Sequence, residues 1–95
     1  MKNNYIDITW LKNSADVHDY LQKTLVLPEH YGKNLDALYD ELTAITEERH
    51  IYLFYTPEDN TELKAQLPSF IKIFTEAAQS NPKILFTPQE INNMA

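Results

Sequence analysis

Two carboxylates four residues apart, Asp36 and Asp40, with the hydroxyl of Thr43 a turn further on, are the side chains of this sequence best placed to do chemistry. If residues 35–43 wind as a helix at about 100° per residue, Leu35, Leu38 and Leu42 share one side. Asp36, Asp40 and Thr43 then gather on another, with Tyr39 between the two groups. Asn34 is suited to cap such a helix, and the loop ahead of it carries His30, Tyr31 and Gly32, the only glycine in the chain. Between Glu29 and Glu48 six acids meet the single base Lys33, so −5 of the net charge of −6 lies in about a fifth of the chain.

Three chemistries suit this group. Asp36 and Asp40 could serve as acid and base, or with His30 as hard-metal ligands; they could simply form a solvated face; or they could receive a cationic partner. Asp40 stands mid-helix, beyond the favourable dipole interaction open to Asp36 in the first turn. Like charges at i, i+4 repel by a few tenths of a kcal/mol, and no Lys or Arg lies one turn away on that face to relieve them. A local conflict of this kind is what a surface tuned for a partner carries, since a positive partner converts repulsion into attraction. No HExxH, nucleophile elbow or EF-hand loop accompanies the carboxylates, so no catalytic residue, metal or cofactor is assigned. His18 and His50 show no ligand spacing and read as surface or satisfied residues. Gly32, just ahead of the cap, suggests a backbone conformation or close approach that a side chain would block, although an ordinary turn explains it as well.

The elements that must position this face follow from periodicity. Tyr5–Trp10 alternates and places Ile6, Ile8 and Trp10 on one side of a first strand. Ser14 can cap a helix along which Val17, Tyr20, Leu21, Thr24 and Leu25 recur at helical spacing before Pro28 stops it. After the loop 26–33 and the acidic helix, His50–Tyr55 reads as a strand covered on both faces and ended by Thr56-Pro57. A further helical region is expected in two pieces, because Pro68 suits the first turn of a new helix better than the interior of an old one. Its second piece carries Phe70, Ile71, Ile73, Phe74, Ala77 and Ala78 and ends at Ser80-Asn81-Pro82. Lys83–Phe86 is a short last strand, and residues 87–95 form a loosely held tail. Helices between three strands imply crossovers, hence an α/β fold with a small parallel sheet. Phe54-Tyr55-Thr56-Pro57 and Phe86-Thr87-Pro88 look alike because each marks a strand end, not because of a repeat.

Composition narrows the function. Ninety-five residues, 43% of them hydrophobic and eleven aromatic, make one domain over residues 1–95 with a core of its own. With no cysteine, disulfides, thiolate metal sites and cysteine nucleophiles are excluded; with one glycine, so are phosphate-cradling glycine loops. No apolar run approaches a membrane span, and the polar start does not read as an export signal, so a cytoplasmic protein without membrane partners is expected. The net charge of −6 repels nucleic acid and favours a basic protein.

The run Leu27–Thr43, LPEHYGKNLDALYDELT, resembles the loop and second helix of the barstar family, intracellular inhibitors of the secreted bacterial ribonuclease barnase. Weaker similarity covers most of the remaining chain, including Phe74-Thr75-Glu76-Ala77. The resemblance implies a three-stranded parallel sheet packed with helices, and an inhibitor that plugs a ribonuclease active site. It implies that Asp40 occupies the enzyme's phosphate site, that Gly32, Asn34, Asp36 and Thr43 fall on contact positions, and that Glu76 contributes an acidic contact from the last helix. Leu35 and Leu38 match positions that support the surface from beneath. His30 replaces a family aromatic, Tyr39 a tryptophan, and Ala44-Ile45 a glycine–tryptophan pair, while Glu41 and Pro82 stand where family cysteines occur. These departures leave two partners open: a ribonuclease shaped differently opposite His30 and Ile45, or another toxin with a basic cleft. An acidic mimic of nucleic acid that binds a non-nuclease is a further alternative. A one-to-one complex needs only a monomer, and an immunity protein of a toxin–antitoxin pair is the expected role.

Overall fold

The computed structural model describes residues 1–57 and 62–91 of the chain. Three parallel strands form one sheet in the order β1-β2-β3: β1 is Lys2–Asp7, β2 Arg49–Tyr55 and β3 Ile84–Glu90. Between β1 and β2 run α1 (Ser14–Thr24) and α2 (Leu35–Thr43), and between β2 and β3 runs α3 (Leu63–Ser80). This is the α/β arrangement with a parallel sheet that the alternation of elements predicts. Ile6, Ile51, Leu53 and Ile84 enter the core from the sheet, and Val17, Leu21, Leu38, Leu42, Phe70 and Phe74 meet them from the helices.

Several elements differ from their sequence expectations. The first strand begins earlier and stops at Asp7, whose Oδ1 accepts from the N–H and hydroxyl of Thr9 at 2.9 and 2.6 Å and turns the chain. Ile6 and Ile8 are buried as expected, but Trp10 lies beyond that turn, 63% exposed and edge-on to Tyr20. β2 is not covered evenly on both faces. Its outward residues are shielded by one another, with Tyr52 stacked between Tyr5 (5.1 Å) and His50 (4.0 Å).

Asn13, not Ser14, caps α1, its side chain accepting from the N–H of Asp16. At the other end the N–H of Leu27 donates to the carbonyl of Gln22 at 2.9 Å, closing a Schellman turn with Val26 in the left-handed conformation at φ 56°. Glycine usually stands there. A β-branched residue costs on the order of 1–2 kcal/mol in that conformation.

α3 is one helix, with Pro68 inside it rather than at the start of a second piece. The proline deprives the carbonyl of Lys64 of its i→i−4 donor, but Lys64 and Pro68 are both exposed, so water can serve it. The last strand runs on past Phe86. Thr87–Glu90 pair with Tyr52–Tyr55 and the N–H of Ile91 donates to Tyr55 O at 2.7 Å, so this part of the expected tail is a strand; residues 92–95 lie outside the described residues. Pairing with β2 needs backbone partners rather than apolar side chains, and Pro88 is tolerated because β3 is an edge strand.

Candidate functional site

Burial of Leu38 and Leu42 sets the rotation of α2, and Asp36 and Asp40 consequently point to solvent. Asn34 begins the helix as expected, its Oδ1 accepting from Ala37 N–H at 2.7 Å while its Nδ2 donates to Gly32 O at 3.3 Å. The ion pairs among the described residues are Lys2–Glu47, Lys33–Asp19, Arg49–Glu47 and Lys72–Glu76, so neither Asp36 nor Asp40 is neutralised from within. Lys33, the base nearest in sequence, is drawn to Asp19 at 2.7 Å. The last turn of α2 holds no base either. The helix therefore presents two unpaired carboxylates one turn apart.

Of the three explanations offered for Gly32, close approach is the one observed. Its φ is not positive, and the left-handed residue of the loop is Lys33 at φ 54°. A Cβ on Gly32 would lie 3.3 Å from Ala37 Cβ and 3.4 Å from Asn34 Nδ2, crowding the first turn of α2. The neighbouring Tyr31 is a core residue, 4% exposed, with its hydroxyl 2.5 Å from Nδ1 of the equally buried His18. That bond fastens the loop to α1, helped by Gln22 Nε2 donating to Pro28 O at 2.8 Å. Burial lowers the pKa of His18 more than neighbouring Asp19 raises it, with Lys33 adding to the lowering. Burial, and behind it the charge of Glu41, pushes the Tyr31 phenol well above its usual range, so Tyr31 meets His18 as an un-ionised phenol, and the histidine tautomer sets which of the two donates. His30 stays exposed beside it.

The other residues singled out from the sequence lie along α2 and α3. Tyr39 is half-buried and its hydroxyl shares a 2.8 Å hydrogen bond with Ser80 Oγ of α3. Thr43 Oγ1 shares its one proton between the carbonyls of Tyr39 (2.9 Å) and Asp40 (3.2 Å). Glu76 lies one turn before Ser80, hence on the same side of α3, half-buried and held loosely by Lys72 at 3.9 Å. Ile45, just past α2, is half-buried against the core.

Sequence reasoning missed what holds the end of α2. Asn81, read only as part of a helix stop, is buried and its Nδ2 donates to the carbonyls of Leu42 (3.0 Å), Ile45 (3.0 Å) and, more weakly, Thr43 (3.4 Å). It caps a helix from which it is 39 positions removed in sequence, and no local pattern signals that. His18 was read without this role in anchoring the loop, although its place among the apolar positions of α1 was a usable signal.

Among the described residues no group of three or more His, Cys, Asp or Glu side chains is placed to hold a metal ion, and no helix is long and apolar enough to cross a membrane. What the arrangement can do chemically is present anions on a rigid support. A scan against protein-family models matches residues 1–88 of the 95 to the model described as Barstar (barnase inhibitor). With that match spanning nearly the whole chain, a three-stranded parallel sheet behind it and the acidic helix at its front, the protein belongs to the barstar family.

Proposed function

We propose that this protein inhibits a ribonuclease of the barnase kind by seating α2 and its preceding loop in the enzyme's RNA-binding cleft. Asp40 takes the place of a substrate phosphate among the enzyme's cationic side chains. Asp36, Asn34, Gly32 and Thr43 line the same contact, Tyr39, His30 and Ile45 border it, and Glu76 reaches it from α3. The protein acts by occlusion and performs no catalysis. It works one-to-one, as an immunity protein in the cytoplasm of the cell that makes the toxin, and is a monomer when free.

The observation that carries this reading is the pair Asp36 and Asp40, exposed, one turn apart and outside every ion pair among the described residues, in a chain of the barstar family. A helix already bearing repelling carboxylates loses little by binding cations and gains charge-assisted hydrogen bonds to arginine. His30 and Ile45 depart from the family pattern only at the border of this contact, so barnase still offers the phosphate site that Asp40 fills.

The test is inhibition of barnase acting on a fluorogenic RNA, titrated with the wild-type protein and with Asp40→Ala. Stoichiometric inhibition is expected from the wild type, and truncation of Asp40 should weaken binding by at least about 2 kcal/mol. Glu90→Ala, on the edge strand, should change it little. Equal inhibition by all three proteins would refute the docking.

A further inference from the structure

We propose that Val26 and the cleft beside it extend the docking surface to the C-terminal end of α2, where they receive a lysine or arginine side chain of the basic partner. This rests on the inhibitory role proposed above and adds to it a contact that selects among basic partners. Val26 is a β-branched residue in the left-handed region, at φ 56°, a position normally given to glycine. The residue is nevertheless 76% exposed, so packing within the free molecule does not offset the strained backbone. A strained and exposed apolar residue is accounted for when something outside the molecule covers it.

The cleft at Val26, about 280 Å³, shows what that is. One part of its wall is hydrocarbon, from Val26, Leu27 and Ile45. Another is charged. Glu47 and Arg49 both line it and pair with each other at 2.6 Å, with Lys2 3.9 Å from Glu47, whereas Glu41, the third charged residue of the lining, enters none of the ion pairs among the described residues. Glu41 also sits near the end of α2, where the helix dipole disfavours an anion and no base compensates it. A lysine or arginine matches both parts, its methylene stem lying along Val26 and Ile45 and its cationic head meeting Glu41. The cleft adjoins the proposed contact at Ile45, which lines the one and borders the other.

Wild type, Val26→Gly, Glu41→Gln and Asp40→Ala are each titrated against barnase, with affinity, RNA cleavage and urea midpoint all recorded. Val26→Gly relieves the backbone, so its midpoint rises while its Kd weakens about tenfold, the effect of losing one buried valine contact. Glu41→Gln weakens the Kd by about threefold at low salt, and the loss shrinks as salt is added. Wild-type affinity in Val26→Gly, with Asp40 still required, overturns the cleft contact alone. A loss with Val26→Gly and none with Glu41→Gln overturns the basic occupant in favour of an apolar one. Binding that ignores Asp40→Ala, or a wild-type protein that leaves barnase active, overturns the docking mode beneath the proposal.

Discussion

Asp40 and His18 represent two opposite uses of a titratable side chain in this protein. Asp40 is exposed and enters no ion pair among the described residues, and Asp36 one turn away repels it. Its removal should therefore leave the free protein no less stable, or more stable by a few tenths of a kcal/mol. An unchanged or raised urea midpoint in Asp40→Ala would assign any loss of inhibition to the interface and not to unfolding. His18 is buried, with Tyr31 hydrogen-bonded to it, the ring of Phe70 at 5.1 Å, and Asp19 and Lys33 acting on its charge. Burial lowers its folded-state pKa below the ordinary 6.5, so as pH falls through that value the unfolded chain takes up the proton first. Stability from neutral His18 is thus complete above about 6.5 and is lost as pH falls toward the lower folded-state pKa. Urea midpoints measured from pH 8 down to pH 5 should fall for the wild type and fall less steeply for His18→Gln, which cannot titrate. Parallel slopes would remove His18 from the account.

At the scale of the element, α2 is only nine residues long, too short to be stable as an isolated helix. It is held instead at three points: the Asn34 cap, the Tyr39–Ser80 hydrogen bond, and Asn81 bound to the carbonyls at its end. Asn81→Ala should cost about 1–3 kcal/mol, because it removes the side-chain donor from the Ile45 carbonyl and leaves the Leu42 carbonyl only the backbone N–H groups near it. The same variant should weaken inhibition although Asn81 is buried and touches no partner, since loss of the cap lets the carboxylates of α2 wander from their fixed spacing. Urea unfolding and amide exchange over residues 40–46 check this; an unaltered exchange pattern would contradict the role of Asn81. The acidic face of α2 was legible from the sequence, because leucines at helical spacing fix which side is buried and hence where Asp36 and Asp40 must point. The support of that face was not legible. Asn81 and Ser80 are polar residues at the end of another helix, and the choice of partner by a polar residue has no periodicity.

Across the whole molecule, charge is arranged unevenly. Arg49 and Lys2 are engaged with Glu47 and Lys33 with Asp19, so part of the positive charge is neutralised away from the exposed face of α2 while its aspartates are not. A net charge of −6 with this asymmetry should steer a basic partner toward α2, an effect for which the barnase–barstar pair is itself a reference case. The association rate with barnase, followed by stopped flow, is expected to fall at least about tenfold between low salt and about 0.5 M, while the dissociation rate changes far less. A salt-independent association rate would count against steering. The amino-acid sequence alone determined the order and type of the elements, the burial of Leu38 and Leu42, and the outward turn of the carboxylates, because each follows from spacing within one element. Only the tertiary structure decided that α3 is unbroken at Pro68, that β3 continues to Glu90, that Tyr31 is anchored by His18, and that Asn81 closes α2. The last three depend on groups brought together from 13 to 39 positions apart or on a neighbouring strand that supplies backbone partners, and such pairings exist only once the sheet and helices have packed.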